Sequence, residues 1–337
     1  MEKPKIAFLE IKGWEAEYVF SQLKDYNPVL SKDTINNIDA HFLQDIEILS
    51  IFIYSPLDEA VLRAFRKLKF IATRSTGFDH IDLEALQNRN IEVANVPAYG
   101  EHTVAEHTFA LILALTHNIH RAYVRTVQGT FSFEGLQGID LKGKTLGVLG
   151  AGHIGLYVIK FGRAFGMNVL VYDTKKHPFL PEIMGFEYVT LDELLANSDV
   201  ITLHVPYSSQ THHLIGSHNI NKIKRGAFLI NTSRGGLVDT AALTKALDEG
   251  ILAGAGLDVL EEESLIKEER QILYEDTPKE KLQTAIENHI LLNRENVVIT
   301  PHIAFYSKEA MQRILDVTVS NIKSYLEGRP KNLVKAA

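Results

Sequence analysis

The chain has 337 residues, enough for about two domains at roughly 150 residues each, and 45% of them are hydrophobic, which suffices for real cores. Its 35 Lys and Arg face 42 Asp and Glu; the net charge of −7, with no basic block, disfavours a nucleic-acid partner. There is no cysteine for disulfide or thiolate chemistry, no signal-peptide core at the N-terminus and no apolar run long enough to cross a bilayer, so the sequence reads as a soluble, cytoplasmic protein with no membrane partner.

Residues 5–11 read as a strand and 14–23 as a helix. "IEILSIFIYS" (46–55) reads as a buried strand, and 57–68 carries apolar residues at helical spacing. "FIATRSTG", "IDLEALQNRN" and "IEVANVP" repeat strand, helix, strand. One long helix is expected from Glu101 through "VAEHTFALILALTHNIHRA", followed by an irregular Gly-containing stretch over 128–143. The alternation restarts near Lys144 and runs to a last strand, "ENVVITPH", and a closing amphipathic helix over 307–327. Within it, Thr190 and Glu193 form a capping box ahead of a short helix. The pattern predicts an α/β protein with two doubly wound parallel sheets, one boundary near residue 100 and another near 300.

"GVLGAGHIG" (147–155) places Gly150, Gly152 and Gly155 in a GxGxxG spacing between an apolar strand and an amphipathic helix. In that setting Gly150 permits the tight turn, Gly152 lets backbone approach a pyrophosphate, and Gly155 allows close helix–strand packing. The helix start at His153 and Ile154 then offers free N–H groups and a favourable dipole to the phosphates. Asp173 closes the next strand, 18 residues past Gly155, where a carboxylate binds a ribose 2′-OH and repels a 2′-phosphate. Lys175 and Lys176 follow it and soften that selectivity. NAD is the expected cofactor.

Other strand ends carry polar groups. Arg234 follows "AFLINTS", Asp258 follows "LAGAGL", and His302 follows "NVVITP". Doubly wound sheets bind ligands at strand carboxyl ends. An Arg can grip a carboxylate bidentately and polarise a carbonyl, and a His can donate a proton near neutral pH. Asp258 also fits the role of a cap. After it come three glutamates, 261–263, which by default form a solvated acidic surface. His102 and His107 are five apart and no HExxH occurs, so no metal site is expected.

The motifs "RSTGFDHID", "NVPAYGEHTVAEHT", "GAGHIG", "LHVPYSSQTHHLI", "INTSRGGLVD", "GLDVLEEE" and "TPHIAFY" occur in this order along nearly the whole chain. Together they resemble the D-isomer-specific 2-hydroxyacid dehydrogenases, and within them the D-lactate dehydrogenase type. The resemblance implies a flavodoxin-like substrate domain of residues 1–100 plus 301–337. It also implies a Rossmann NAD-binding domain of residues 101–300, with a dimerisation helix near 101–122 and hence a homodimer. By motif position the family's catalytic Arg, Glu and His resemble Arg234, Glu263 and His302, leaving Glu261 and Glu262 as surface charges. Ser75, Thr76 and Gly77 resemble the loop whose N–H groups hold the substrate carboxylate, and Tyr99 a tyrosine near the substrate. Phe305 and Tyr54 are candidates for the wall of the side-chain pocket. His204, Val205, Pro206 and Thr232 resemble the segments beside the nicotinamide ribose, and Asp258 the aspartate near the nicotinamide.

The implied activity is NADH-dependent reduction of pyruvate to D-lactate. A bulkier D-2-hydroxy acid, glyoxylate or hydroxypyruvate, and phosphoglycerate remain alternative substrates. An NAD(H)-sensing corepressor-like binding protein is the alternative of another class. The charged stretch 264–295 is longer than in the glycerate-type branch.

Overall fold

Short apolar runs separated by helices become parallel strands throughout the computed structural model, which describes residues 3–263 and 279–334. The chain divides into two units, Met1–Gly100 with Tyr306–Ala337, and Glu101–Phe305.

The first unit holds β1 (Ile6–Phe8), β2 (Val29–Leu30), β3 (Ile48–Ile51), β4 (Phe70–Thr73) and β5 (Glu92–Ala94), all paired in parallel in the order β2-β1-β3-β4-β5. Side chains alternate between faces, so Ile6, Phe8 and Phe70 pack with Leu315, Val319 and Ile322 of the helix Lys308–Leu326. Ala7, Leu49 and Ile71 point the other way, onto Leu62, Phe65 and Leu86. Ser307 starts the last helix by accepting a bond from Ala310 N at 3.1 Å. Arg74, beyond β4, is only 1% exposed. Its guanidinium donates to Ser50 Oγ at 3.0 Å and to the carbonyls of Leu9 at 2.6 Å and Glu10 at 2.9 Å. Desolvation pulls its pKa down to about 10, against the attraction of Glu10 and Glu15, so it is still charged at neutral pH.

Two sequence expectations are too long here. The strand expected over 46–55 ends at Ile51, because Phe52 N and Tyr54 N donate to the Glu10 carboxylate at 2.7 and 2.9 Å. The helix expected over 57–68 is only Glu59–Leu62, since Ala64 N and Phe65 N bond three residues back and tighten the chain.

The second unit is a seven-stranded parallel sheet of β6 (Thr145–Leu149), β7 (Asn168–Tyr172), β8 (Glu187–Tyr188), β9 (Val200–Leu203), β10 (Ala227–Asn231), β11 (Leu252–Leu257) and β12 (Val297–Ile299). Its order is β12-β11-β10-β9-β6-β7-β8, so the direction of winding reverses between β6 and β9. On one face Leu146, Val148 and Ile230 pack with Ile112 and Leu115 of the helix Glu101–Thr116 and with Val158 and Ile159 of the helix His153–Ala164. On the other, Ile201, Leu203 and Leu229 pack with Leu194, Leu243 and Leu247. The expected capping box is present: Thr190 N donates to the Glu193 carboxylate at 2.9 Å and Glu193 N to Thr190 Oγ1 at 3.3 Å. The single long helix expected from Glu101 is instead two, Glu101–Thr116 and Ile119–Val127. Asn118 breaks it with φ of 53° and turns its side-chain amide to the carbonyls of Leu136 and Gln137.

Leu315 is fully buried against the first sheet. Leu315→Ala should therefore cost about 2–5 kcal/mol by removing buried methyls and leaving a cavity. Urea unfolding followed by circular dichroism measures it; a cost below about 1 kcal/mol would mean that this helix does not seal the sheet.

Candidate active site

All seven strands of the second sheet run in parallel, so their carboxyl ends share one edge. Along that edge stand His302 beyond β12, Asp258 at the end of β11, Thr232 and Arg234 beyond β10, His204 after β9, Gly150 after β6 and Asp173 after β7.

His302 sits in the left-handed region with φ of 56°, a strained conformation for a residue with a Cβ. Asp258 holds it there. His302 N donates to Asp258 O at 2.9 Å, and the Asp258 carboxylate accepts Ile303 N at 2.9 Å and Ala304 N at 2.8 Å. Thr300 Oγ1 also donates to that carboxylate, which is 1% exposed. Asp258 thus acts as a cap for this turn. His107 Nε2 lies 3.0 Å from Thr300 Oγ1 and 3.5 Å from Asp258 Oδ1. Burial lowers the His107 pKa, with the Asp258 charge opposing. The His302 ring presents Nδ1 to Glu263 Oε2 at 3.2 Å, and the Phe305 ring stands edge-on at 6.4 Å between centroids.

The turn bearing Arg234 is tied by Asn231, whose Nδ2 donates to Arg234 O at 2.9 Å and whose Oδ1 accepts Ser233 N at 3.0 Å. Ser233 Oγ donates to Leu203 O at 2.7 Å, pinning the turn to β9. Thr232 is buried, its hydroxyl 3.0 Å from that of Thr108. The Arg234 guanidinium donates to Ser233 O at 2.8 Å.

The glycine loop fits a dinucleotide. Gly150 has φ of 98°, and a Cβ there would lie 2.7 Å from His204 O; at Gly155 a Cβ would lie 2.0 Å from Gly150 O. Gly152, the cap of the helix His153–Ala164, has open space beside it and no side-chain capping bond, which leaves the helix N-terminus to an anion. Val205 packs against Gly150, and Pro206 is exposed. Asp173 Oδ2 accepts Ala151 N and Oδ1 accepts Lys175 N, both at 2.7 Å. His204 Nε2 lies 2.9 Å from Thr202 Oγ1, while Nδ1 is shut off from solvent with no partner among the described residues. Desolvation pushes the His204 imidazole down to about 3.

Comparison with known proteins agrees with this geometry. Residues 109–304 match the family model of the D-isomer specific 2-hydroxyacid dehydrogenase NAD-binding domain. A 2-hydroxyacid dehydrogenase homolog of Haemophilus influenzae is 39% identical over 329 residues, covering 96% of this chain and 97% of that protein. The chain belongs to the D-isomer-specific 2-hydroxyacid dehydrogenases. The crystal structure of an Aquifex aeolicus D-lactate dehydrogenase, complexed with NAD and lactic acid, superposes with a TM-score of 0.86 at 39% identity over 96% of each chain. An aromatic 2-oxoacid reductase of Clostridium sporogenes is 36% identical over 320 residues, 93% of each chain. The protein is thus an NAD-dependent D-2-hydroxyacid dehydrogenase with two parallel-sheet α/β domains, one of them a Rossmann NAD-binding domain.

Most of the remaining sequence candidates of this dehydrogenase lie in the first unit. Ser75 Oγ is 2.7 Å from Thr73 Oγ1 and donates to Gly77 O at 2.7 Å, while Thr76 Oγ1 donates to Val96 O at 2.7 Å. These bonds leave the N–H groups of Ser75, Thr76 and Gly77 without a backbone acceptor among the described residues. Tyr99 O is gripped by Arg313, and Tyr54 is 47% exposed with its ring edge-on to Phe52. Within the second unit, His153 is exposed and Ile154 is partly buried against the core.

One expectation is overturned. Glu261 is not a solvated surface charge: its side chain is 17% exposed and its carboxylate meets His213 Nε2 at 2.6 Å and Thr240 Oγ1 at 2.9 Å. The sequence carried no signal for that pairing, 48 residues apart, nor for the meeting of His107 with Thr300. Of the stretch 264–295, residues 264–278 lie outside the described residues, and Lys279–Leu292 is a helix. Among the described residues no three His, Asp or Glu side chains group as metal ligands, and no helix is long and apolar enough to cross a membrane.

His204 has a depressed folded-state pKa, so the unfolded chain takes up its proton first as pH falls below 6.5. The stability cost grows from there toward the folded value near 3, at no more than about 1.4 kcal/mol per pH unit. A His204→Gln variant lacks this cost. Its stability relative to wild type should rise between pH 6.5 and 4 in urea titrations; parallel pH curves would refute the buried neutral imidazole.

Proposed function

We propose that this dehydrogenase reduces pyruvate to D-lactate, with His302 as the general acid. NADH, when bound, supplies the hydride that C2 of the oxo acid accepts. His302 Nδ1 is engaged by Glu263, which leaves Nε2 to carry the proton that passes to the carbonyl oxygen and returns in the reverse reaction. Glu263 orients the ring through its contact with Nδ1 at 3.2 Å. Arg234 grips the substrate carboxylate with its fork of N–H groups and polarises the carbonyl. The N–H groups of Ser75, Thr76 and Gly77 take the remaining carboxylate charge, and Tyr99, Tyr54 and Phe305 border the substrate side chain. Gly150, Gly152, His153, Ile154 and Gly155 cradle the pyrophosphate, and Asp173 binds the adenosine ribose hydroxyls and selects NAD over NADP. His204, Val205, Pro206 and Thr232 flank the nicotinamide ribose. The observation that carries this reading is the His302–Glu263 pair, held on a strained turn at a strand's carboxyl end.

Pyruvate is favoured by Tyr99 and by "TPHIAFY", the features of the lactate-type branch. A bulkier oxo acid draws support from the likeness to the Clostridium aromatic 2-oxoacid reductase. Residues 1–100 with the final helix form the substrate domain in this reading. Ile119, Tyr123, Val124 and Val127, exposed along one short helix, support pairing of two copies through it.

NADH oxidation should be fastest with pyruvate, measured as kcat/KM beside phenylpyruvate, glyoxylate and hydroxypyruvate at equal pH. A higher value for phenylpyruvate would replace the pyruvate assignment by the bulkier one, and no turnover with any 2-oxo acid would favour a binding role. His302→Ala should lower kcat by about 10²–10⁴, the usual share of general acid–base catalysis, with NADH affinity little changed. A variant keeping most of its kcat removes His302 from this role.

A further inference from the structure

Four segments of the second unit meet at Glu261, whose carboxylate bonds to neither His302 nor the glycine loop. Glu261 Oε1 lies 2.6 Å from His213 Nε2. Its Oε2 accepts Thr240 Oγ1 at 2.9 Å and Thr240 N at 3.3 Å, at the start of the helix Thr240–Asp248. Its carbonyl accepts Asn288 Nδ2 at 2.7 Å, from the helix Lys279–Leu292. The partner is itself fixed, since His213 has φ of 49° and its N–H donates to Gly236 O at 2.8 Å.

Both proposed catalytic loops run through this junction. Gly235, next to Arg234, is packed so tightly that a Cβ would lie 2.1 Å from Leu260 O and 2.4 Å from Glu261 N. Glu262 then takes φ of 50°, reversing the chain so that Glu263 leaves in a new direction toward His302. A half-buried carboxylate with this many donors is expensive to desolvate and stays only where the donors hold it in place. A charge meant only for solubility would not be 17% exposed.

We propose that Glu261 is a positioning residue: gripped by His213 and Thr240, it sets the angle at which Glu263 meets His302 and locks that loop against the turn bearing Arg234. The proposal rests on the roles given to Glu263 and His302 above. Misplacing a reacting group by about 1 Å can cost up to 10²-fold in rate, so a small loosening here is enough to be measured.

The test is a double-mutant cycle in kcat, using the 2-oxo acid of highest turnover, with NADH affinity followed by fluorescence. Glu261→Gln should lower kcat by about 10–100-fold while the NADH dissociation constant stays within about twofold. In the Glu263→Gln background the same change should cost less than about twofold, because the group that it positions is already lost. His213→Asn provides a second route: Asn tolerates the left-handed backbone but is too short to reach Glu261, and it should reproduce both results even where Glu261→Gln fails to fold. Full kcat in both single variants overturns the proposal. So do defects that multiply with Glu263→Gln, the signature of a structural loss unrelated to Glu263. The Glu263→Gln arm alone tests the reading underneath: wild-type kcat there would sink the role of Glu263 and this inference with it, whereas a low kcat with multiplying defects sinks only the role of Glu261.

Discussion

The site hangs on the buried carboxylate of Asp258. An ionised carboxyl out of water costs several kcal/mol unless donors surround it. Here they do: two backbone N–H groups and the Thr300 hydroxyl converge on it, with His107 close by. Those same bonds bend residues 300–304 into the turn that puts His302 at a positive φ. Backbone strain of this kind costs about 1–3 kcal/mol and survives only where the surroundings over-determine it. The desolvated charge and the strained turn therefore stabilise each other, and Glu263 meets an imidazole already aimed.

The parallel sheet explains why the other groups stand along one edge of the chain's second unit. Once β6 to β12 run in one direction, every strand delivers its following residue to the same edge. Six strands contribute these ends: two imidazoles, two carboxylates, an arginine turn and a glycine loop. The packing beneath them is hydrocarbon on both faces, so the chemistry varies in the loops alone.

Much of this was readable in the amino-acid order. Period and glycine spacing located most strands, the restart of the pattern near Lys144 and the glycine loop, because those features arise from contacts close in sequence. Motif order put forward Arg234, Glu263 and His302, the catalytic set proposed above. What escaped were contacts made at long range or by conformation. β3 stops early because Glu10, over forty residues away, captures the N–H groups that follow it. The helix from Glu101 breaks because Asn118 finds two carbonyls in a loop beyond it. Glu261 looked solvated because a run of like charges carries no trace of the histidine that will meet it.

In Asp173 the residue proposed to read the cofactor's ribose is also part of the frame. Both of its oxygens are already occupied by backbone N–H groups, one from the glycine loop and one from its own turn. A carboxylate turned away from an approaching 2′-phosphate would give up both bonds. On that proposal, cofactor choice is written into the main chain as much as into the side chain. Replacing Asp173 would release the N–H groups of Ala151 and Lys175 together, and so loosen the glycine loop and the turn after β7 in one step.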